Sequence, residues 1–344
     1  MRTNPRPRVI ATAVLAVAGL TLSACGGNDS ASSGADGNGD SSIAAVIKGL
    51  DNPFFQQMEK GIDAGAEAGG AKVSVQAASD IADTTGQLDK LTNAVTKDPG
   101  CVIVNPIDGT NLIQGMAQLA AKDIPIVNID SPVDADAAKQ ADATPSTYIG
   151  TDNGEAGKTA GEHMLTLLPK GSEVALIGGV AGDVTSKARL DGFTDGVAGG
   201  LDIIQTVAAN WQRDEALTQA TTLLRANPDL AGFFVANDDM ALGVARAVSD
   251  TGRTGKVKII SVDGVEDGLK GVQSGELAAV VAQYPYAIGE MGVNACRAAI
   301  AGKKLPADVT APIALVTKDN VDKALQAAPA PFESYDDPFA ELAK

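Results

Sequence analysis

From Ile43 to Ala282 the chain repeats one pattern: a short apolar, β-branched run, then an amphipathic stretch with helical spacing. The runs are Ile43–Ile47, Ala71–Val75, Cys101–Val104, Pro125–Ile129, Tyr148–Gly150, Glu173–Ile177, Leu201–Val207, Gly232–Val235, Val257–Val262 and Leu277–Ala282. Between them lie helical stretches such as Phe54–Ala68, Gly86–Thr96, Ala156–Leu168, Glu215–Ala226 and Met240–Ser249. Continuously apolar strands separated by helices belong in parallel sheets covered on both faces. At this spacing there are too many strands for one small doubly wound sheet, so the pattern predicts an α/β protein of two lobes. On the pattern alone the divide falls near Thr151, with a series of βα units on each side.

The start of the chain reads as an address. Arg2, Arg6 and Arg8 precede a 14-residue apolar run, Val9–Leu22. A bilayer-spanning helix needs about 20 residues, so residues 1–24 read as a secretory signal. The run ends Leu22-Ser23-Ala24-Cys25-Gly26, which resembles the bacterial lipobox, with Cys25 as the lipidated residue. Residues 25–42, nearly all Gly, Ser, Asp and Asn after the cysteine, read as a flexible tether. Within it Asp36-x-Asn38-x-Asp40 opens like a calcium loop, but Ser41 stands where the loop needs Gly and Ile47 where it needs Glu. The expected location is extracytoplasmic, held to the membrane by lipid.

Charge and inventory remove several classes. The chain has 43 acidic and 27 basic residues, a net −16; without the first 24 residues it has 43 against 24, or −19. A protein that neutralises nucleic-acid phosphates needs a basic surface, so no nucleic-acid partner is expected. One histidine, His163, and three cysteines leave little for His-based catalysis or a zinc site. Gly154-Glu155-Ala156-Gly157-Lys158-Thr159 lacks the first glycine of a phosphate loop, since Asp152 stands there. No G-x-S-x-G elbow occurs. The expectation is a non-enzyme without cofactor or metal. Spacing does not show whether Cys101 and Cys296 pair; the preferred reading is two buried small apolar residues.

Polar residues recur just past strand ends: Asn52, Asn105, Asp130, Asn237 with Asp238, and Asp263. Ligands of open α/β sheets bind outside the carboxyl ends of the strands. Helix capping favours the same residue types. Asp152 and Asp238 read as caps; for Asn105 and Asp263 both readings stay open. Aromatic residues are only 3%, yet Phe54 and Phe55 adjoin after Asn52-Pro53, and Trp211, the one tryptophan, sits in the polar loop Asn210-Trp211-Gln212-Arg213. Aromatic faces suit the C–H faces of sugars, and amides and carboxylates suit their hydroxyls.

These residues carry a family resemblance. The chain resembles type I periplasmic sugar-binding proteins, the ribose/allose-binding group of ABC importers, from about Ile43 to Asp322. The motifs are Asn52-Pro53-Phe54-Phe55, Val104-Asn105-Pro106, Val127-Asn128-Ile129-Asp130, Gly150-Thr151-Asp152-Asn153, Arg189-x-x-Gly192-Phe193, Ala236-Asn237-Asp238-Asp239-Met240-Ala241-Leu242-Gly243, Val262-Asp263-Gly264 and Ala282-Gln283, in this order. The resemblance implies two doubly wound, Rossmann-like lobes joined by three crossovers near Thr151, Gln283 and Pro312, with a ligand cleft between them. The N-terminal lobe would hold 43–150 and 284–311, the C-terminal lobe 151–283 and 312–326, leaving 327–344 as a tail. The simple cut at Thr151 fails under that topology, and Cys101 and Cys296 then share a lobe.

Residue by residue, the resemblance implies that Asn52, Asn105, Asp130, Arg189, Asn237, Asp263 and Gln283 bind hydroxyls and that Phe54, Phe55 and Trp211 sandwich the ligand. Lys48 ends the first strand where the ribose branch has a small hydroxyl residue; the allose branch has Lys there and Trp at the place of Trp211. Ser131 stands where the ribose branch has Arg, which removes a charged donor and opens space. The implied ligand is a pentose other than ribopyranose, a hexose such as allose, or an open-chain sugar alcohol (polyol). The implied role is that of a monomeric solute-binding lipoprotein delivering to an ABC permease and its ATPase. The alternatives are a ligand sensor feeding a membrane receptor and, further off, a sugar-responsive repressor, which would carry a helix-turn-helix where this chain has a signal and tether. The tail, with Pro329, Pro331, Pro338, Phe332, Tyr335 and Phe339, extends past the recognised domain; sequence leaves open whether it packs.

Overall fold

A computed structural model describes residues 42–344. The segments expected to be a signal peptide and a tether, with the expected lipidation site Cys25, fall in residues 1–41 and lie outside the described residues. Ser42, placed at the end of the tether by sequence, is the first residue of a strand.

The elements follow in the order β1 (Ser42–Ile47), α1 (Pro53–Gly69), β2 (Lys72–Ala77), α2 (Thr84–Val95), β3 (Cys101–Val104), α3 (Ile113–Ala120), β4 (Ile126–Ile129), α4 (Ala135–Gln140) and β5 (Thr147–Thr151). Then come α5 (Asn153–Leu167), β6 (Glu173–Gly178), α6 (Val184–Val197), β7 (Asp202–Ala208), α7 (Arg213–Ala226), β8 (Gly232–Val235), α8 (Asp238–Asp250), β9 (Lys258–Asp263), α9 (Glu266–Ser274) and β10 (Ala279–Gln283). The chain ends with α10 (Pro285–Ile300), β11 (Asp308–Ala311), β12 (Ile313–Thr317) and α11 (Val321–Ala327).

Two six-stranded sheets result, ordered β11-β5-β4-β3-β1-β2 and β12-β10-β9-β8-β6-β7. Every pairing is parallel except β10 with β12. β3, β4, β8 and β10 are buried at every residue, as continuous apolar runs require. The edge strands β2 and β7 are partly exposed. In each sheet the order reverses beside the first strand of its series, at β1 and β6, which puts a crevice at the carboxyl ends there.

The chain changes sheet between β5 and β6, between β10 and β11, and across Pro312 between β11 and β12. A single cut at Thr151 therefore does not divide it: β11 pairs with β5, and α10 packs on α1, β3, β4 and β5. That return also brings Cys296 of α10 onto Cys101 of β3, and the two form a disulfide with Cα atoms 5.6 Å apart. The reading of two unpaired cysteines is corrected. A sequence separation of 195 carries no pairing signal until the topology folds one element over the other.

α5 and α6 pack at very short range. A Cβ on Gly157 would lie 2.0 Å from the Arg189 carbonyl oxygen, and one on Gly192 would lie 2.0 Å from that of Gly154. Only glycine allows this approach, and it sets the position of Arg189. The tail packs: Phe339 is fully buried and Phe332, Tyr335 and Leu342 lie on the same core. Among the described residues no helix is long and apolar enough to cross a membrane.

Candidate functional site

The loops at the carboxyl ends of both sheets enclose a cavity of about 460 Å³. The first lobe lines it with Lys48, Asn52, Phe54, Phe55, Asp130 and Ser131, and the second with Arg189, Trp211, Asn237 and Asp263. All were expected at the site. Asn105 and Gln283 were expected too, but they do not line the cavity and sit buried behind it. Gln283 Nε2 donates to Asp263 Oδ1 at 2.8 Å. Asn105 Nδ2 faces Met58 Sδ at 3.4 Å, and its backbone carbonyl accepts from Gln87 Nε2. The side-chain oxygens of both, Asn105 Oδ1 and Gln283 Oε1, are enclosed without a hydrogen-bond partner. Sequence reasoning missed Ile81, Ala82, Ile107, Asp108, Val180, Gly182, Asp183 and Thr185, which complete the wall. Asp108 and Asp183 follow β3 and β6, so the strand-end rule contained the signal for both.

Capping and cavity lining turn out to be compatible. Asn52 caps α1 by accepting from the Phe54 N–H at 2.9 Å, and Asn237 caps α8 by accepting from the Met240 N–H at 3.0 Å. With the amide oxygen held by the helix, the NH₂ group is what each residue has left to offer a ligand. Asp152 caps α5 as expected, accepting from the Glu155 N–H. Asp238 is not a cap. It is the first residue of α8, fully buried, and accepts from Ser261 Oγ at 2.6 Å and from the backbone N–H groups of Gly264 and Val265 at 2.8 and 2.9 Å. It thus fixes the turn that presents Asp263. Spacing could not separate a cap from the position beside it.

Three cavity residues hold left-handed backbone without being glycine: Asp130 at φ 59°, Trp211 at φ 61° and Asp263 at φ 137°. Such conformations cost about 1–3 kcal/mol each and persist only where surroundings impose them. Tyr148 Oη donates to the Asp130 carbonyl at 2.7 Å. Asn128 Nδ2 donates to the Ser131 carbonyl at 2.8 Å. Trp211 lies over Gly179, where a Cβ would fall 2.1 Å from the indole.

The charges form two chains. In the first lobe Lys48 Nζ donates to Ser131 Oγ at 2.7 Å, and Ser131 donates to Asp130 Oδ2 at 3.3 Å. Lys48 Nζ also lies 5.4 Å from the Phe55 ring centre. Loss of water pushes the Lys48 amine below its usual range, against the pull of Asp130. Burial pushes the Asp130 carboxyl up, against the pull of Lys48 and Arg189. In the second lobe Arg189 Nη1 donates to Asp263 Oδ1 at 3.2 Å and to the Ala236 carbonyl at 2.6 Å, while Nε donates to Asn153 Oδ1 at 2.8 Å. The guanidinium carbon lies 5.9 Å from the Trp211 ring centre. Burial raises the Asp263 carboxyl to about 6 even against Arg189. Asp263 Oδ1 thus takes both Arg189 and Gln283, and among the described residues Oδ2 accepts no hydrogen bond. Phe54 and Phe55 meet edge to face, their centres 5.2 Å apart. Among the described residues no cluster of three His, Cys, Asp or Glu could hold a metal ion.

The wall therefore combines apolar rings from both lobes with amide donors, two carboxylates, a guanidinium and an ammonium. That mixture suits a small molecule with apolar faces and a rim of hydroxyls. The family model for the periplasmic binding protein domain matches residues 43–304. The chain is 35% identical over 269 residues to the D-allose-binding periplasmic protein of Escherichia coli K12, covering 77% of this chain and 86% of that protein. It is 29% identical to the ribose import binding protein of Bacillus subtilis 168, covering 80% and 87%. Among solved structures, an ABC transporter periplasmic solute-binding protein from Actinobacillus succinogenes 130z with bound D-allose matches at TM-score 0.77 and 27% identity, covering 82% of this chain and 99% of that one.

Proposed function

The chain belongs to the periplasmic binding protein family, and we propose that it captures a monosaccharide or sugar alcohol between its lobes and delivers it to an ABC importer. The observation that carries this reading is the cavity itself: Phe54 and Phe55 on one wall and Trp211 on the other, with Asn52, Asn237, Asp130, Asp263 and Arg189 around the rim. The lobes are read as 43–150 with 284–311 and 151–283 with 312–326. Ligand contacts one lobe, and hinge closure then excludes water and pairs its hydroxyls. Asp263 and Arg189 contribute most, because hydrogen bonds to charged groups are worth about 1.5–3 kcal/mol each. Asn105 and Gln283, buried behind the wall, serve the site as supports: Gln283 holds the Asp263 carboxylate, and Asn105 packs on Met58 of the helix that carries Phe54 and Phe55.

Lys48 and Ser131 set the choice of ligand. Together they place a short hydroxyl and an ammonium next to Asp130. A serine at 131, bound to the Lys48 ammonium and in place of a guanidinium, favours another pentose, a hexose such as allose or an open-chain alditol over ribopyranose. The working location is outside the cytoplasm, where the Cys101–Cys296 disulfide is stable. A lipid on Cys25 would hold the protein at the membrane beside its permease. Calorimetric titration with D-allose, D-ribose, other aldoses and their alditols tests the reading. A saturable hit at micromolar or lower dissociation constant is expected. Absence of binding by every sugar and alditol in a folded sample would overturn it.

A further inference from the structure

We propose that the C-terminal tail is a fourth link between the lobes, a strap whose seat on the first lobe restrains opening of the hinge. The tail starts in the second lobe. There α11 packs on α9, Asp322 accepts from Gln273 Nε2 at 2.7 Å, and Val321 and Ala324 are buried. It ends in the first lobe. Tyr335 Oη donates to Glu290 Oε2 at 3.2 Å, and Asp337 Oδ2 accepts from Asn294 Nδ2 at 2.8 Å. Both partners lie on α10, which packs on α1 and the first sheet. Phe339, two residues after Asp337, is completely buried. On the way the tail passes Tyr284, the residue after β10 where the chain changes lobe. Phe332 packs against the apolar cluster that holds Tyr284, and burial pushes the Tyr284 hydroxyl up, with the Glu333 charge adding to it. The strap thus runs over a hinge crossover and is fastened on both sides of it.

The family match ends at residue 304, so the strap is additional to the matched domain. Its seat is compatible with the arrangement in which both lobes line one cavity. Wider opening must stretch the strap or unseat Phe339. The strap therefore narrows the range of hinge angles in the ligand-free protein. By mass action that narrowing raises the fraction ready to bind, because apparent affinity scales with the competent fraction. The restraint acts on the hinge, whatever the cleft binds.

The test is read in ligand-free full-length protein. Spin labels on ketone-bearing residues introduced at Asp136 and Lys187, exposed on α4 and α6, leave the native cysteines untouched. Double electron–electron resonance then gives the distribution of lobe separation. Two variants are compared. Tyr335→Ala with Phe339→Ala removes the seat. A four-residue Gly-Ser insertion between Ala330 and Pro331 keeps the seat and adds slack of about 13 Å. Both variants should broaden the distribution toward longer distances, and both should weaken binding of any sugar that binds the parent by about 3- to 10-fold. An unchanged distribution with the insertion overturns the strap, even if the seat variant broadens it, because the tail would then merely stabilise the first lobe. If the seat variant does not fold, the insertion alone decides.

Discussion

Asp263 is where the site's chemistry concentrates. Its carboxyl, raised to about 6 by burial, stands above the ordinary 3.8. Between those values the folded chain keeps a proton that the unfolded chain has released. On this group alone, fold stability rises as pH falls from about 6 to about 4. Ligand affinity moves the other way, because protonation removes the charge that accepts a hydroxyl and pairs with Arg189. Calorimetry from pH 7.5 to 5 should show affinity falling below about pH 6. Asp263→Asn should bind at least about tenfold more weakly at pH 7, a loss of about 1.4 kcal/mol, and should flatten the profile; a residual slope would point to Asp130. Gly179→Ala is a second test at this scale. Its Cβ would strike the Trp211 ring, so the indole must leave its place. Affinity should fall about tenfold while the thermal midpoint changes little.

The residues legible from sequence were those the strand-end rule selects: Asn52, Asp130, Asn237 and Asp263 all reach the cavity wall. Lys48 and Arg189 reach it as well, but their selection came from the family resemblance rather than from a pattern. Asp238 was legible as a polar residue at a strand end, not as the acceptor that fixes the Asp263 turn, because its partners Ser261, Gly264 and Val265 come from the next strand and the turn after it.

At the scale of elements, the apolar runs marked the buried strands well. β3 and β8 coincide with Cys101–Val104 and Gly232–Val235. β11 and β12 fell outside the runs read from the pattern. β11 is a four-residue edge strand with one buried residue, so it carries little of the hydrophobic signal that marks a central strand. The disulfide joins an element of each kind of signal, a clear strand and a helix whose place depends on the second crossover. It closes a loop of 195 residues. Replacing both cysteines by alanine should lower stability in urea by about 2–5 kcal/mol. The loss should fall on the first lobe, read as earlier hydrogen exchange in β3 and α10 than in β8 and β9. An even loss across both lobes would contradict the assignment of α10 to the first lobe's core.

At the scale of the molecule, two sheets present the same end of their strands to one cavity, and neither lobe alone holds the full set of groups. On this arrangement a sugar or polyol binds in the cavity and not elsewhere. Trp211 makes this directly measurable, because it is the one tryptophan in the chain and stands in the cavity wall. The measurement is its emission during titration with the sugar that calorimetry identifies. A saturable change is predicted, with the calorimetric dissociation constant in the parent and a midpoint at least about tenfold higher in Asp263→Asn. Heat of binding with no change in Trp211 emission would place the ligand outside the cavity and contradict the account.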